Sequence, residues 1–361
     1  MIDFKPQVAP HPGPLPASGE REGPAKRGGE GQSATASDER TVTVLDADGT
    51  LRLDRWFKRH YPALGHGHLE RLLRTGRIRV DGKRARSSDR VVPGQAIRLP
   101  PLDQMTAPAS PSARHVSPGD EAMLRDAVLH RDDAVIALNK PPGLAVQGGS
   151  GTERHLDGLL DALRFGSEVR PRLVHRLDKE TSGVLVLART ATAAAFLTRA
   201  FREKATRKID WAVVVGLPKP QQGRIDLALA KLPGHDGERV RADAEDGKRA
   251  VTYYRVVDDV GGKASWLALL PVTGRTHQLR AHCAAIGTPI LGDAKYGAAA
   301  AHLAGVPGAK RVHLHARSLS IPHPRGGTLR VTAPLPRHMR QSWEFFGFPD
   351  DIEDPFTDLS I

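Results

Sequence analysis

The chain has one cysteine in 361 residues, Cys283. A single thiol excludes an internal disulfide framework and a cysteine-rich zinc site. No run of 18 apolar residues occurs, so no membrane-spanning helix is expected. The N-terminus lacks the apolar core of a signal peptide, and it is not the Arg-rich, acid-poor stretch of a transit peptide. The expectation is a cytoplasmic protein without a disulfide partner. There is no repeat of fixed period and no regular strand–helix–strand succession, which points to an α+β fold rather than a doubly wound sheet.

Acidic residues are also in deficit. Lys and Arg outnumber Asp and Glu by 53 to 41, and the isoelectric point is about 10.1. Such an excess favours a polyanionic partner, because phosphates neutralised by basic side chains release condensed counterions. The charge is uneven. Residues 41–100 carry a net +7, residues 1–40 carry −1, and the remaining 261 residues carry +6.

Residues 1–40 are rich in Pro, Gly, Ser and Ala without a hydrophobic period, the signature of a disordered tail. Residues 102–120, with Pro108, Pro111, Pro118 and Gly119, read as a linker. From about residue 121, short β-rich runs alternate with helical ones. Ala134–Leu138, Val184–Leu187, Ala212–Val215 and Trp266–Leu270 read as buried strands, and Ala191–Lys204 as a helix. The final residues, 346–361, read as an acidic, weakly ordered tail.

Within the basic stretch, Leu53, Trp56 and Phe57 have helical spacing, and a second helix fits His68–Arg74, stopped by Gly76. Ile78-Arg79-Val80 alternates, and Asp81-Gly82 is a hairpin-turn dipeptide. This layout gathers Arg55, Arg59, Arg71, Arg74, Arg77 and Lys83 on one side as candidate contacts for a polyanion. Arg52-Leu53-Asp54, the helix pair and the run from Gly76 to Gly82 resemble the S4 RNA-binding module over about 55 residues. The resemblance implies binding to structured RNA through phosphates and shape. Just before it, Asp46-Ala47-Asp48-Gly49-Thr50 is similar to the motif of aspartyl-phosphate phosphatases. That fold needs a Rossmann-like succession after the motif, so the segment reads instead as a turn entering the basic module.

Three further segments carry chemistry. The first is Asn139-Lys140-Pro141-Pro142-Gly143, a strand end and rigid turn. The second runs from His175-Arg176-Leu177-Asp178 to Thr181-Ser182-Gly183, before an apolar strand. The third is Thr273-Gly274-Arg275-Thr276-His277-Gln278-Leu279-Arg280-Ala281-His282, followed by Gly287-Thr288-Pro289-Ile290-Leu291-Gly292-Asp293 and Tyr296-Gly297. Asp178 sits in a loop of hydrogen-bonding groups ahead of a buried strand, where reactive groups tend to be presented. A carboxylate shielded from water there needs a cation to stay ionised, and Arg176, Arg275 and Arg280 are the candidates.

Together the segments resemble motifs I, II and III of the RluA-type pseudouridine synthases. His313-Leu314-His315-Ala316, Ile321-Pro322-His323-Pro324 and Ala333-Pro334-Leu335-Pro336 extend the resemblance over roughly residues 130–340. It implies a catalytic domain over 121–345 with a central mixed, largely antiparallel sheet, preceded by an S4 module at 41–101. It implies that Asp178 is the catalytic carboxylate, paired with Arg280. Leu279 would be packed by the base, Arg176 would enter the space left by a flipped uridine, and His175 and Arg275 would line the substrate. His277 and Gln278 would organise the motif III turn, and Asn139 and Lys140 the floor of the cleft. The reaction breaks N1–C1′, turns the uracil and joins C5 to C1′, so it needs neither cofactor nor metal. The carboxylate acts by adding to the sugar or by removing a sugar proton.

One position departs from the family. The strand after the helix usually reads K-x-Y-x-A-x-V-x-G, and here Lys208-Ile209-Asp210-Trp211-Ala212-Val213-Val214-Val215-Gly216 puts Asp210 where the Tyr stands. The ring that would stack on the base is gone, and a second carboxylate near Asp178 should raise the pKa of one of them. Asp210 either replaces Tyr as the base, with Trp211 giving apolar contact, or leaves an RNA binder of weakened turnover. The expected partner is structured RNA, 23S ribosomal RNA first given the S4-like region and Leu144-Ala145-Val146-Gln147-Gly148-Gly149, with tRNA as the alternative. A monomer is expected. A non-catalytic ribosome-assembly factor is the competing class. A metal hydrolase built on His277, His282, His313 and His315, or a glycosidase, fits less of the chain.

Overall fold

The computed structural model describes residues 40–62, 64–101, 116–148, 152, 154–232, 239–243 and 245–359. The chain divides into two compact units, residues 1–110 and 111–361. The expected tail apart from Arg40, and residues 102–115 of the expected linker, lie outside the described residues.

The first unit begins with β1 (Arg40–Thr43), β2 (Leu51–Arg52), α1 (Leu53–His60) and α2 (His66–Arg74). It closes with β3 (Arg79–Val80), β4 (Lys83–Arg84), β5 (Arg90–Val91) and β6 (Ala96–Leu99). Leu53, Trp56 and Phe57 from α1 and Leu69, Leu72 and Leu73 from α2 bury against Ile78, Ile97 and Leu99. The three- and four-residue spacing that suggested helices is thus the spacing of one apolar face. Gly76, at φ +73°, terminates α2, and Arg77 N–H bonds back to the Leu72 carbonyl. Asp81 and Gly82 both have positive φ, the type I′ geometry that lets a two-residue loop join β3 to β4. Asp48 of the phosphatase-like motif is a structural acid. Its carboxylate accepts from Trp56 Nε1 at 3.1 Å and contacts His60 Nε2 at 2.8 Å, tying the turn to α1.

The second unit opens with α3 (Pro118–Asp126), β7 (Val128–Arg131), β8 (Val135–Lys140), α4 (Leu156–Leu159), β9 (Arg172–Leu173) and β10 (Ser182–Ala188). Pro118 and Gly119, expected in the linker, belong to α3. The Ser117 hydroxyl accepts from Asp120 N–H and Pro118 occupies the first turn, where its missing N–H costs nothing. Next come α5 (Ala191–Arg202), β11 (Arg207–Val215), β12 (Gln222–Leu232), β13 (Arg239–Ala242), β14 (Lys248–Val260) and β15 (Ala264–Pro271). The unit ends with α6 (Gln278–Ala285), β16 (Leu314–Pro322), β17 (Thr328–Thr332) and α7 (Arg337–Phe346).

Its eleven strands form one sheet in the order β13-β12-β14-β15-β11-β16-β10-β8-β7, with β17 beside β16 and β9 beside β10. Among these pairings only β10 with β16 is parallel, so the sheet is mixed and largely antiparallel, an α+β architecture. The four expected strands all lie in it. Alternation along β10 sends Val184, Val186 and Ala188 to the side covered by α5, and Leu185 and Leu187 to Leu156, Leu160 and Leu163. In β11, Ile209, Trp211 and Val213 face Trp266 and Trp343, while Ala212 and Val214 face Leu279 and Leu314.

The expected acidic C-terminal tail is docked on the unit. Phe348 and Phe356 are buried in the tryptophan cluster. Asp354 bonds Arg207 at 2.7 Å, and Asp358 bonds Arg255 at 2.6 Å. Acidic composition hid two buried rings and a set of carboxylates that neutralise strand arginines. Among the described residues, no helix is long and apolar enough to cross a membrane.

Candidate active site

Asp178 stands half-buried in the loop before β10. The strand and motif I together fasten that loop. Lys140, at the end of β8 and 1% exposed, donates from Nζ to the carbonyls of Pro141, Leu144 and Lys179 at 2.9, 2.9 and 3.2 Å. Gly143 N–H donates to the same Lys179 carbonyl at 2.8 Å. Burial lowers the Lys140 pKa to about 7, with the negative charges of Glu180 and Asp178 opposing the drop. Lys140 therefore stitches the motif I turn to the residue next to Asp178. Asn139 is tied elsewhere, its Nδ2 donating to the Pro334 carbonyl at 3.0 Å.

On the other side of the loop, Gly183 sits at φ +108° against β16. A Cβ there would lie 2.2 Å from the Ala316 carbonyl oxygen, so only glycine permits the parallel pairing. Ser182 Oγ bonds His315 Nδ1 at 2.8 Å across that pair, and His315 Nε2 contacts the Ala333 carbonyl. His313 is held between the Arg311 carbonyl and Ser342 Oγ. These two histidines, candidates for a metal hydrolase, are buried fasteners. Burial brings the pKa of each down to about 4, so both are neutral.

A cleft of about 150 Å³ opens beside Asp178. Its lining includes His175, Arg176, Lys208, Asp210, Arg275 and Leu279. Sequence positions far apart thus converge because β10, β16, β11 and β15 are consecutive neighbours in the sheet. His175 is fixed on two sides. Its Nε2 accepts the Val186 N–H at 2.8 Å, and its ring stacks on Phe201 at 4.3 Å between centroids. Burial, aided by the charge of Lys208, pulls its pKa down to about 3, so the ring is neutral and the accepting nitrogen carries no proton.

Asp210 is 6% exposed in mid-sheet, paired with Leu269 on one side and Ala316 on the other, at a bulge in β11. Burial raises its pKa to about 7; Lys208 pulls it down, and the charge of Asp178 pushes it further up. Lys208 lies two residues away on the same strand and lines the same cleft. Burial depresses its pKa and the charge of Asp210 opposes that. Lys208 escaped the reading of the sequence, although a charged residue two positions from Asp210 on a strand must share its face. Trp211, considered as the apolar contact, faces the opposite side of β11. It packs on Trp266 at 4.5 Å, for the same reason of period.

Motif III closes the site through His277, held at φ +53°, which starts α6. Gln278 uses its whole amide. Its Oε1 accepts from Thr273 Oγ1 and Arg275 N–H, and its Nε2 donates to the Val251 carbonyl and Thr252 Oγ1. His277 Nδ1 contacts Tyr296 OH at 2.9 Å. Arg280, expected to pair with Asp178, instead forks onto Asp293 at 2.7 and 2.6 Å and lies over the Tyr296 ring at 5.1 Å. The reason is that Asp293 is fully buried and an unpaired carboxylate there would be costly. Burial works against the Arg280 charge, but Asp293 and then Asp178 outweigh it and raise its pKa. Arg280 is therefore within electrostatic reach of Asp178 without a salt bridge to it. Asp293 and Tyr296 are the site residues whose roles the sequence left unread.

The six basic residues of the first unit, Arg55, Arg59, Arg71, Arg74, Arg77 and Lys83, are all exposed. Arg59 reaches Asp48 at 3.4 Å.

A family model described as RNA pseudouridylate synthase matches residues 134–285, the span from β8 to the end of α6. The chain is 37% identical over 286 residues to ribosomal large subunit pseudouridine synthase C of Rickettsia conorii, covering 77% of this chain and 92% of that protein. It is 34% identical over 372 residues to the mitochondrial RNA pseudouridine synthase 4 of Arabidopsis thaliana, covering 80% and 78%. Among solved structures, human RNA pseudouridylate synthase domain containing 4 superposes with a TM-score of 0.53 at 29% identity, covering 63% of this chain and 95% of that one. With a site whose carboxylate, lysine-stitched loop and arginine turn fall inside the matched span, the chain belongs to the RluA-type RNA pseudouridine synthase family.

Proposed function

We propose that the protein isomerises uridine to pseudouridine in large-subunit ribosomal RNA, with Asp178 as the catalytic carboxylate. The observation that carries the reading is the cleft itself. It sets Asp178 among Arg176, Arg275 and Leu279 at the meeting point of motifs II and III. The target uridine leaves the stack, because its glycosidic bond is out of reach inside a helix. The base then packs on Leu279, and Arg176 fills the vacated space. Asp178 acts at the sugar as N1–C1′ breaks. The uracil stays in the cleft, turns, and forms C5–C1′; the proton displaced from C5 is taken by a nearby base, and N1, freed from the sugar, gains one in its place. Reactant and product are isomers, so no oxidant, reductant or group donor enters. Arg280, braced by Asp293, supplies a fixed positive field near Asp178.

Asp210 serves as the proton-transfer group at the position where the family has Tyr, and it does so with a handicap. A carboxyl whose pKa is near 7 is well matched to proton transfer at neutral pH. It offers no ring face to the base, so turnover is reduced. The exposed basic residues of the first unit act as an S4-type RNA-binding module that delivers structured RNA. The protein works in the cytoplasm as a monomer on 23S RNA. A role as a non-catalytic assembly factor is favoured only by the loss of the Tyr. Mass spectrometry of ribosomal RNA from a deletion strain separates the two. One pseudouridine should vanish, return with the wild-type gene, and stay absent with Asp178→Ala.

A further inference from the structure

The cleft beside Asp178 does not end there. Seven of its lining residues, among them Arg176, Lys208 and Arg275, also line an adjoining groove of about 820 Å³. The outer part of this groove is formed by the end of α5, the turn into β11, and the edge strand β17. Seven Lys or Arg residues line it, and no Asp or Glu does. Arg207 is committed to the C-terminal segment through Asp354 and the Phe356 carbonyl. The side chains of Lys204 and Arg330 are exposed and make neither hydrogen bond nor ion pair among the described residues.

Two more features single the groove out. Lys204 is held at φ +60°, a left-handed conformation that glycine adopts without cost and lysine does not. A strained cation kept where glycine would be easier is a candidate for function. The groove also includes the stacked pair of Phe201 and neutral His175. Cations along a groove, together with an aromatic platform and no carboxylate, make the arrangement that holds a single-stranded polyanion whose bases stack.

We propose that this groove holds the RNA strand next to the target uridine, with Lys204 and Arg330 on its phosphates and the Phe201–His175 pair under a flanking base. The inference rests on the pseudouridine synthase reading and adds a path for the strand outside the basic module. The test uses the full-length protein and ribosomal RNA fragments, comparing wild type with Lys204→Glu/Arg330→Glu, Lys204→Gly and Phe201→Leu. The double variant should raise KM about tenfold or more, with kcat at saturating RNA within about twofold of wild type. The slope of log binding constant against log salt should fall by about 1.4, near 0.7 for each lost single-strand phosphate contact. Lys204→Gly should keep or raise Tm while losing about 0.7 of the slope, which separates the charge from the fold. Phe201→Leu should raise KM without changing the salt slope. Unchanged KM and slope in the charge variants would overturn the proposal, as would a fall in kcat at constant KM. If wild type makes no pseudouridine, the activity reading fails, and the salt slope still decides the groove.

Discussion

At the scale of single residues, the proposed active site turns on two carboxylates with different surroundings. Asp178 is half-buried in a loop, while Asp210 is closed into the sheet with its pKa raised to about 7 by burial and by Asp178. Because the folded state holds the Asp210 proton more tightly than the unfolded chain, this group binds more proton in the native protein between about pH 4 and pH 7. Its own contribution to stability therefore falls as pH rises through that window, by at most about 1.4 kcal/mol per pH unit. Asp210→Asn removes that slope. Urea midpoints measured from pH 4 to pH 8 should show the variant gaining on wild type up to about pH 7 and then holding constant. A gap that does not change with pH would refute the raised pKa. Asp210→Tyr should raise kcat for pseudouridine formation by restoring the ring, and a fall in kcat would refute the impairment. The place of Asp178 in the cleft was legible from its motif. The Arg280–Asp293 fork was not, because a partner thirteen residues away is chosen by how the following turn folds back.

Elements bring the motifs together. The parallel step between β10 and β16 places motif II beside the His313–Ala316 segment, and it depends on the absence of a side chain at Gly183. Gly183→Ala should cost about 3 kcal/mol or more from the forbidden φ and the clash with Ala316. Denaturant unfolding would measure that cost, and a loss below about 0.5 kcal/mol would show that β16 can yield. Most elements were legible. The apolar runs at 134–138, 184–187, 212–215 and 266–270 have the length of buried strands and fall on them, and the α1 spacing of Leu53, Trp56 and Phe57 is helical. Strand order was not, since the local pattern of a strand does not encode which of ten others lies beside it. The opposite facing of Asp210 and Trp211 follows from strand alternation alone and was there to be read.

On the scale of the whole molecule, the first unit holds a basic surface and the second holds the cleft. A fragment covering 111–361 has its own core and should fold, yet bind ribosomal RNA more weakly and with a shallower salt dependence than the full chain. Equal affinity and equal salt slope would remove the first unit from RNA recognition. The C-terminal segment belongs to the second unit's structure. Its Phe348 and Phe356 fill the core around Trp266 and Trp343, and composition alone could not reveal this because acidic residues outnumber the rings that anchor it.

The central claim is that Asp178 makes pseudouridine. The most direct measurement is pseudouridine formed in 23S ribosomal RNA transcripts by purified wild-type protein and by Asp178→Asn, with RNA binding followed in parallel. A modified uridine is expected with wild type, none with Asp178→Asn, and similar RNA affinity for both. Equal product from the variant, or RNA binding without product from either protein, would contradict the claim.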